Sequence, residues 1–402
     1  MSILIINRFA HDRCQYEQWL SGLDEELLLL TAEEVIDSFP AKDYAYIESF
    51  PQFDINGKVE LRAIELYERY QFHTVIAISE RDVLRASYLR QRFGLNGQLP
   101  ESAQQFRNKI IMKEIAQTAQ LAVPKFKSLQ TSLDLISFVE HHGYPVVIKP
   151  IDGAGSQNIQ VIYNQLDLES VLESGIYRAT EVETFISGDM YHVDGLVTEG
   201  EVAFISVSKY ASGCLAYQSG GYNASYLISR DNPMFGRLVT FTNRLLRTLD
   251  TPEHTAFHTE LFHTPNDEIF LCEIASRTGG GRLDSYLEQA YGIHLTKVWV
   301  QAQCGIDLLE KVSSVMNKSQ HVLTGDVLIP PRKGKFISGP LESPPSWVTE
   351  FRMLAKPGQR YDHPKFSIDH IASFVVQGDT ESQIENRLTH VANWFEQSSY
   401  WE

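Results

Sequence analysis

In FHTELFHTPNDEIFLCEIASRTGGGR, residues 257–282, two apolar strand-like runs each carry a carboxylate, Glu260 and Glu273, on either side of a turn-forming TPND. A hairpin turn centred on Asn266 and Asp267 would set Glu260 directly across from Glu273. Opposed residues have Cβ atoms about 5 Å apart, and like charges there are destabilising. A hard divalent cation held by carboxylate oxygens would offset that repulsion. The expectation depends on register, because an odd-length turn would break the pairing.

Two further stretches could handle anions. In IKPIDGAGSQNIQVI (148–162), Gly153 and Gly155 allow backbone N–H groups to turn towards a phosphate, with Ser156 in the same loop. Lys149, ending the preceding strand, adds a point charge. Read alone, the stretch is equally a plain glycine turn in a hairpin. The loop lacks GxxxxGK[ST], and a strand rather than a helix follows it, so it is neither a Walker loop nor a dinucleotide fingerprint. After Glu273 come Arg277 and then Gly279, Gly280 and Gly281. A guanidinium there could neutralise a transferring phosphoryl group, and the glycines would admit a substrate carboxylate. Alone, Arg277 would read as a surface residue before a turn; beside the two glutamates it reads as part of a site.

Such groups need a scaffold. The strands ILIIN (3–7), YAYIES (44–49) and TVIAIS (74–79) alternate with the helices LRAIELYERY (61–70) and VLRASYLRQRF (83–93), which predicts a parallel αβ sheet. FGLNGQLPES (93–102) is a boundary rich in turn formers. Next come a helix FRNKIIMKEIAQTAQ, a helix SLDLISFVEHH with Ser132 as its N-cap and Gly143 as its C-cap, and the strands around the glycine loop. Beyond residue 181, VETFIS, YHVDGLV, EVAFISVSKY and the hairpin supply a larger mixed sheet, with helices at 237–249 and 285–293. The expected divisions are 1–105, 106–180, 181–304 and 305–402. The last is a smaller C-terminal subdomain of short strands and Pro/Gly turns, packed on the third. The fold class is α/β with α+β character.

The chain has 402 residues, 43% of them hydrophobic, and 51 acidic against 35 basic residues give a formal charge of −16. That balance argues against coating nucleic acid or anionic membrane. MSILIINRF lacks the basic start of a signal peptide, and no run is long enough to span a bilayer. Cys14, Cys214, Cys272 and Cys304 form no CxxC pair and read as isolated thiols in a cytoplasmic protein. His254 and His258 lack the HExxH pattern and read as no metal site; His141 and His142 read as a solvated helix end. Ser156 has no partner set for a nucleophile. Glu80, at a strand end, is either a plain helix-start carboxylate or a wall of the substrate cleft.

Taken in order, NKIIMKEIAQTAQLAVPKF, YPVVIKPIDGAGSQNIQVI, EVETFISGDMYHVDGL and HTELFHTPNDEIFLCEIASRTGGG resemble the ATP-grasp superfamily of carboxylate–amine ligases, over nearly the whole chain. The nearest resemblance is to bacterial L-amino acid ligases, which join two amino acids into a dipeptide. The resemblance implies ATP with Mg²⁺ or Mn²⁺ as the metal. It places Lys109 and Lys149 at the phosphates and the loop 153–158 over them as a lid. Glu183 and Ile186 would meet adenine, Asp189 and His192 the ribose, and Lys209 the phosphates. Glu260 and Glu273 would hold the metal, Arg277 the transferred phosphate, and Gly279, Gly280 and Glu80 the substrate. It also implies amino acid substrates, a cationic one such as arginine among them, and a homodimer. Many relatives read Glu-x-Asn-x-Arg, whereas here Ala275 takes the Asn position. That substitution bears on a second metal and keeps open a non-catalytic ATP-binding regulator; a purine-pathway, carboxylase-like or siderophore-type ligase is the alternative that keeps the fold and changes the substrate.

Overall fold

The strand Ser2–Asn7 is buried at every position, and Glu26–Ala32 at every position but its first. Strands that read as continuous apolar runs belong to a sheet covered on both faces. Both lie in a four-stranded parallel sheet ordered Tyr46–Phe50, Glu26–Ala32, Ser2–Asn7, Thr74–Ala77. The first strand thus has later strands on both sides, and the crevice between it and Thr74–Ala77 is a topological switch point. In open parallel sheets ligands bind at the carboxyl ends of the strands at such a point. This computed structural model describes residues 1–402 apart from 177–178, 214 and 317–321. Cys214 therefore lies outside the described residues.

The helix predicted over 106–120 starts at Lys109, and a separate helix precedes it. Pro100–Arg107 and Lys109–Thr118 are separated by Asn108, whose side chain accepts from the N–H groups of Ile110 and Ile111 at 3.0 and 3.2 Å. An N-capping Asn ends one helix and starts the next. The break puts Lys109 in the first turn of its helix. The following helix, Ser132–His142, is capped by Thr131 with Asp134 in a capping box, not by Ser132, while Gly143 closes it as expected. The helix Pro233–Thr248 begins a turn earlier than read, because Pro233 takes the first position after the capping Asn232.

An antiparallel four-stranded sheet, ordered Phe126–Leu129, Thr180–Thr184, Val146–Pro150, Gln160–Ile162, carries the glycine loop between its last two strands. Facing it is an eight-stranded sheet. Five of its strands come from residues 189–275 and run in the order Ile269–Ala275, Thr255–His263, Asp189–Thr198, Glu201–Tyr210, Asn223–Leu227. The sheet continues through Leu323–Ile329, Ala372–Gly378 and Val348–Met353. The C-terminal segment thus completes the large sheet by main-chain pairing, with Leu323–Ile329 paired to Asn223–Leu227. The closing helix Glu381–Ser398 buries Ile384, Leu388, Val391 and Phe395 in the same core.

Candidate active site

The strands Thr255–His263 and Ile269–Ala275 are antiparallel, and Glu260 does face Glu273. The turn is nevertheless odd. Thr264 donates its N–H to Glu268 O at 2.9 Å, and Phe262 faces Phe270. Continued without change, that register would set Cys272 against Glu260. A β-bulge between Glu260 and Leu261 leaves Cys272 as the extra residue and restores the pairing. The dependence on an even turn is therefore corrected: the bulge does the work that turn length was expected to do. Cys272 and Glu273 both line the same cavity, of about 780 Å³.

Two lysines reach this wall. Lys109 Nζ lies 2.9 Å from Glu273 and donates to Gly153 O at 3.0 Å. Lys149 Nζ donates to Glu183 at 2.6 Å. Glu183 also meets Lys113, which in turn holds Glu181 at 2.7 Å. Burial pushes the Glu273 carboxyl up, but Lys109 and Lys149 outweigh it and bring its pKa down to about 2. Burial pulls the Lys149 ammonium down, yet Glu183 and its neighbours hold it above its ordinary value. Both charges are thus fixed at neutral pH.

Arg277 is aimed by Glu80. Its Nε and a terminal nitrogen donate to one Glu80 oxygen at 2.9 and 2.7 Å, while Arg107 pairs with the other oxygen and donates to Asp152 O. Glu80 lines the cavity, but its carboxylate is committed to two arginines. It positions Arg277 rather than standing free for substrate. Burial opposes its charge, and the two guanidiniums still hold its pKa below the ordinary value.

A second buried centre lies beside the glutamates. Asp194 accepts from Nδ1 of His258 at 2.7 Å and from Nδ1 of His192. His258 Nε2 reaches Glu260 at 3.4 Å, and Tyr210 OH donates to Glu260 at 2.7 Å. Burial lowers His258, but Asp194 raises its pKa to about 9. Among the described residues His192, Asp194 and His258 are the three whose ligand atoms cluster closely enough for a metal. Here, however, both Nδ1 atoms are spent on Asp194. His258 sits directly across from Ala275, the position that lacks a ligand atom. A Cβ on Gly279 would come within 2.8 Å of Asp194 Oδ1 and 2.9 Å of His258 Nδ1, so only glycine lets the chain pass over this pair.

The loop 153–158 is folded down onto the cavity. Gly155, Ser156 and Asn158 all have positive φ. Ser367 donates its N–H to Gly155 O at 3.1 Å, and Tyr217 OH donates to Ser156 O at 3.0 Å. The lining further includes Ile186 and Gly280, together with Asp326 and Asp369 from the C-terminal segment. Asp189 and Lys209 do not line it; they pair with each other at 3.0 Å. Sequence reading passed over Arg107, Lys113, Asp194, Tyr210 and Arg13. Asp194 carried a signal, since it lies two residues from His192 in a strand and therefore on the same face.

The glutamate pair fits a divalent cation. Two hard carboxylates face each other across paired strands and line one cavity, the donor set a divalent cation prefers. Among the described residues no helix is long and apolar enough to cross a membrane.

Comparisons with known proteins bear on this arrangement. Residues 142–285 match the ATP-grasp domain family. The chain is 24% identical over 345 residues to the L-arginine-specific L-amino acid ligase of Bacillus subtilis, which covers 82% of this chain and 80% of that protein. It is 26% identical over 257 residues to dapdiamide A synthase of Enterobacter agglomerans, covering 59% and 58%. Its fold matches the crystal structure of an L-amino acid ligase from Bacillus licheniformis with a TM-score of 0.79 at 17% identity, over 100% of this chain and 98% of that one.

Proposed function

We infer that this chain, a member of the ATP-grasp superfamily and an ATP-dependent carboxylate–amine ligase, joins two free amino acids into a dipeptide with release of ADP and phosphate. The observation that carries this reading is the convergence of Glu260, Glu273, Lys109, Lys149 and Arg277 on one cavity beneath a docked glycine loop. The carboxylate of one amino acid attacks the γ-phosphorus of ATP, the bond from that phosphorus to the bridging oxygen breaks, and ADP leaves. The amine of the second then attacks the acyl carbon, the carbon–oxygen bond to phosphate breaks, and the ammonium proton passes to solvent. Lys109, Lys149 and Arg277 stabilise negative charge spread over the transferring group. Glu260 and Glu273 would hold Mg²⁺ or Mn²⁺, which supplies charge neutralisation at the phosphates. Gly153, Gly155 and Ser156 exclude water from the acyl phosphate.

In this reading Glu183 and Ile186 meet the adenine and His192 faces the ribose. Asp189 and Lys209 take at most a peripheral part, since they pair off the cavity wall. Gly279 and Gly280 admit the substrate carboxylate. Asp326 and Asp369 on the cavity wall suit a cationic side chain, and the relative from Bacillus subtilis is arginine-specific by name. A cytoplasmic homodimer belongs to the same reading, and sedimentation tests the dimer.

The purified chain is to be incubated with Mg-ATP and all twenty amino acids, singly and in pairs, following phosphate release and product mass. Phosphate with a dipeptide mass is expected, and arginine is expected among the substrates. ATP bound without phosphate release for any pair would refute the reading. That result would favour a non-amino-acid carboxylate or a non-catalytic regulator, the alternative that Ala275 leaves open.

A further inference from the structure

We propose that Arg13 binds the carboxylate of the acceptor amino acid, the one whose amine enters the second step. The proposal rests on the ligase reading above and names a residue outside the nucleotide site.

The cations lining the cavity differ in one respect. Arg8 is held by Asp82 at 2.7 Å and also pairs with Asp54. Arg81 pairs with Asp54 at 2.9 Å, Lys109 with Glu273, Lys149 with Glu183 and Arg277 with Glu80. Arg13 lines the same cavity, and among the described residues no carboxylate or carbonyl pairs with its guanidinium. Its guanidinium carbon lies over the Phe9 ring, 4.2 Å from the ring centroid. A guanidinium over a ring face gives none of its N–H donors a hydrogen-bond acceptor there, so the fork keeps them for a ligand. The adjacent Asp12 is turned away to Arg352 at 3.1 Å. Asp284, the acidic side chain whose charge bears most on Arg13, is already bonded to Thr296 and lies 3.4 Å from His294.

The position is built, not incidental. Arg13 closes the short helix His11–Arg13 just past the carboxyl end of the first strand. Asn7 fixes that segment: its amide donates to Phe9 O at 2.8 Å, and its Oδ1 accepts from Phe9 N at 3.2 Å and Tyr16 OH at 3.3 Å. Glu80 follows the strand on the other side of the switch-point crevice, so Arg13 and the Glu80–Arg277 pair flank the place where this sheet topology presents a ligand.

Chemistry assigns the ligand. The donor's carboxylate is the reacting group and becomes the amide, so it cannot serve as a lasting anchor. The acceptor's carboxylate is untouched in both steps and persists in the product. A pre-positioned guanidinium fork without a counter-ion matches a carboxylate in two-point contact.

The test uses the full chain with Mg-ATP and L-arginine as donor, comparing L-alanine with L-alaninamide as acceptor, by product mass and initial rate. The wild type is expected to show a KM for alaninamide about tenfold or more above that for alanine, as loss of a charge-assisted contact implies. Arg13→Ala should raise the KM for alanine to near the alaninamide value, leave the alaninamide KM unchanged and leave ADP affinity unchanged. Arg13→Lys should fall between. Equal use of both acceptors by the wild type, or an Arg13→Ala variant that affects both acceptors alike, would overturn the proposal while leaving the ligase reading in place. A wild type that binds ADP but forms no product in any pair of the twenty-amino-acid screen would overturn the ligase reading and this proposal with it.

Discussion

Replacing Glu80 with Gln tests how Arg277 is aimed. Glu80 is about one-tenth exposed and takes two N–H groups of Arg277 on one oxygen and Arg107 on the other. The amide keeps one acceptor oxygen and loses the charge, and its NH₂ group then faces a guanidinium. Hydrogen bonds to charged groups contribute about 1.5–3 kcal/mol each, and breaking a buried ion pair costs about 3–5 kcal/mol. Part of the contact survives in Gln, so a loss of about 3 kcal/mol in transition-state stabilisation is expected. That corresponds to a fall in kcat of about a hundredfold. Because Glu80 bonds Arg277 and Arg107 and not Lys109 or Lys149, KM for ATP should stay within about twofold. The assay is initial-rate ADP release against ATP concentration, with nucleotide binding measured separately to confirm an intact site. Glu80→Asp, which keeps the charge but shortens the reach, should recover part of kcat. A Glu80→Gln variant with kcat within twofold of wild type would show that Arg277 does not need this counter-ion.

Glu273→Gln should abolish ADP release and weaken Mg²⁺ binding measured by titration calorimetry with ATP present; near-full activity would remove Glu273 from the metal site. Gly279→Ala should place a methyl against the Asp194–His258 pair and lower both thermal stability and kcat, since the contacts at 2.8 and 2.9 Å leave it no room; an unchanged melting temperature would contradict that packing. The His258 imidazole has a folded pKa of about 9 against an ordinary 6.5. Its stabilisation is thus complete below about pH 6.5 and is lost as pH rises through about 9, amounting to at most about 3 kcal/mol. Denaturant unfolding of the metal-free protein in chelator should therefore show wild type losing stability against His258→Gln across that window, and parallel curves would rule the linkage out.

Much of the candidate site was legible because its residues lie in short local stretches. Lys149 with Gly153 and Gly155, and Glu273 with Arg277 and the glycines, each occupy one short stretch, and a carboxylate inside an apolar strand announces itself by cost alone. The parallel sheet was legible from alternating strands and helices, though Glu26–Ala32 was passed over. Periodicity over 106–120 puts Asn108 inside the first turn of a helix, while its capping bond is a matter of geometry. The C-terminal strands gave no hint that they complete the large sheet, because pairing partners of a strand far apart in sequence are chosen by the register of the whole sheet.

The facing glutamates divide the two kinds of information most sharply. Sequence by itself determined that Glu260 and Glu273 lie on adjacent strands of one hairpin, since turn chemistry and apolar runs act over a few residues. It could not count the residues in the turn or place the bulge at Cys272, and those two errors in register cancel. Only the tertiary structure decided that Glu80, just past a strand of the first sheet, would aim Arg277, that Asp194 would hold two histidines, and that Arg13 would have no ion-pair partner among the described residues. A side chain's partners come from distant segments, and its charge becomes costly or useful only when burial removes the water that would otherwise satisfy it.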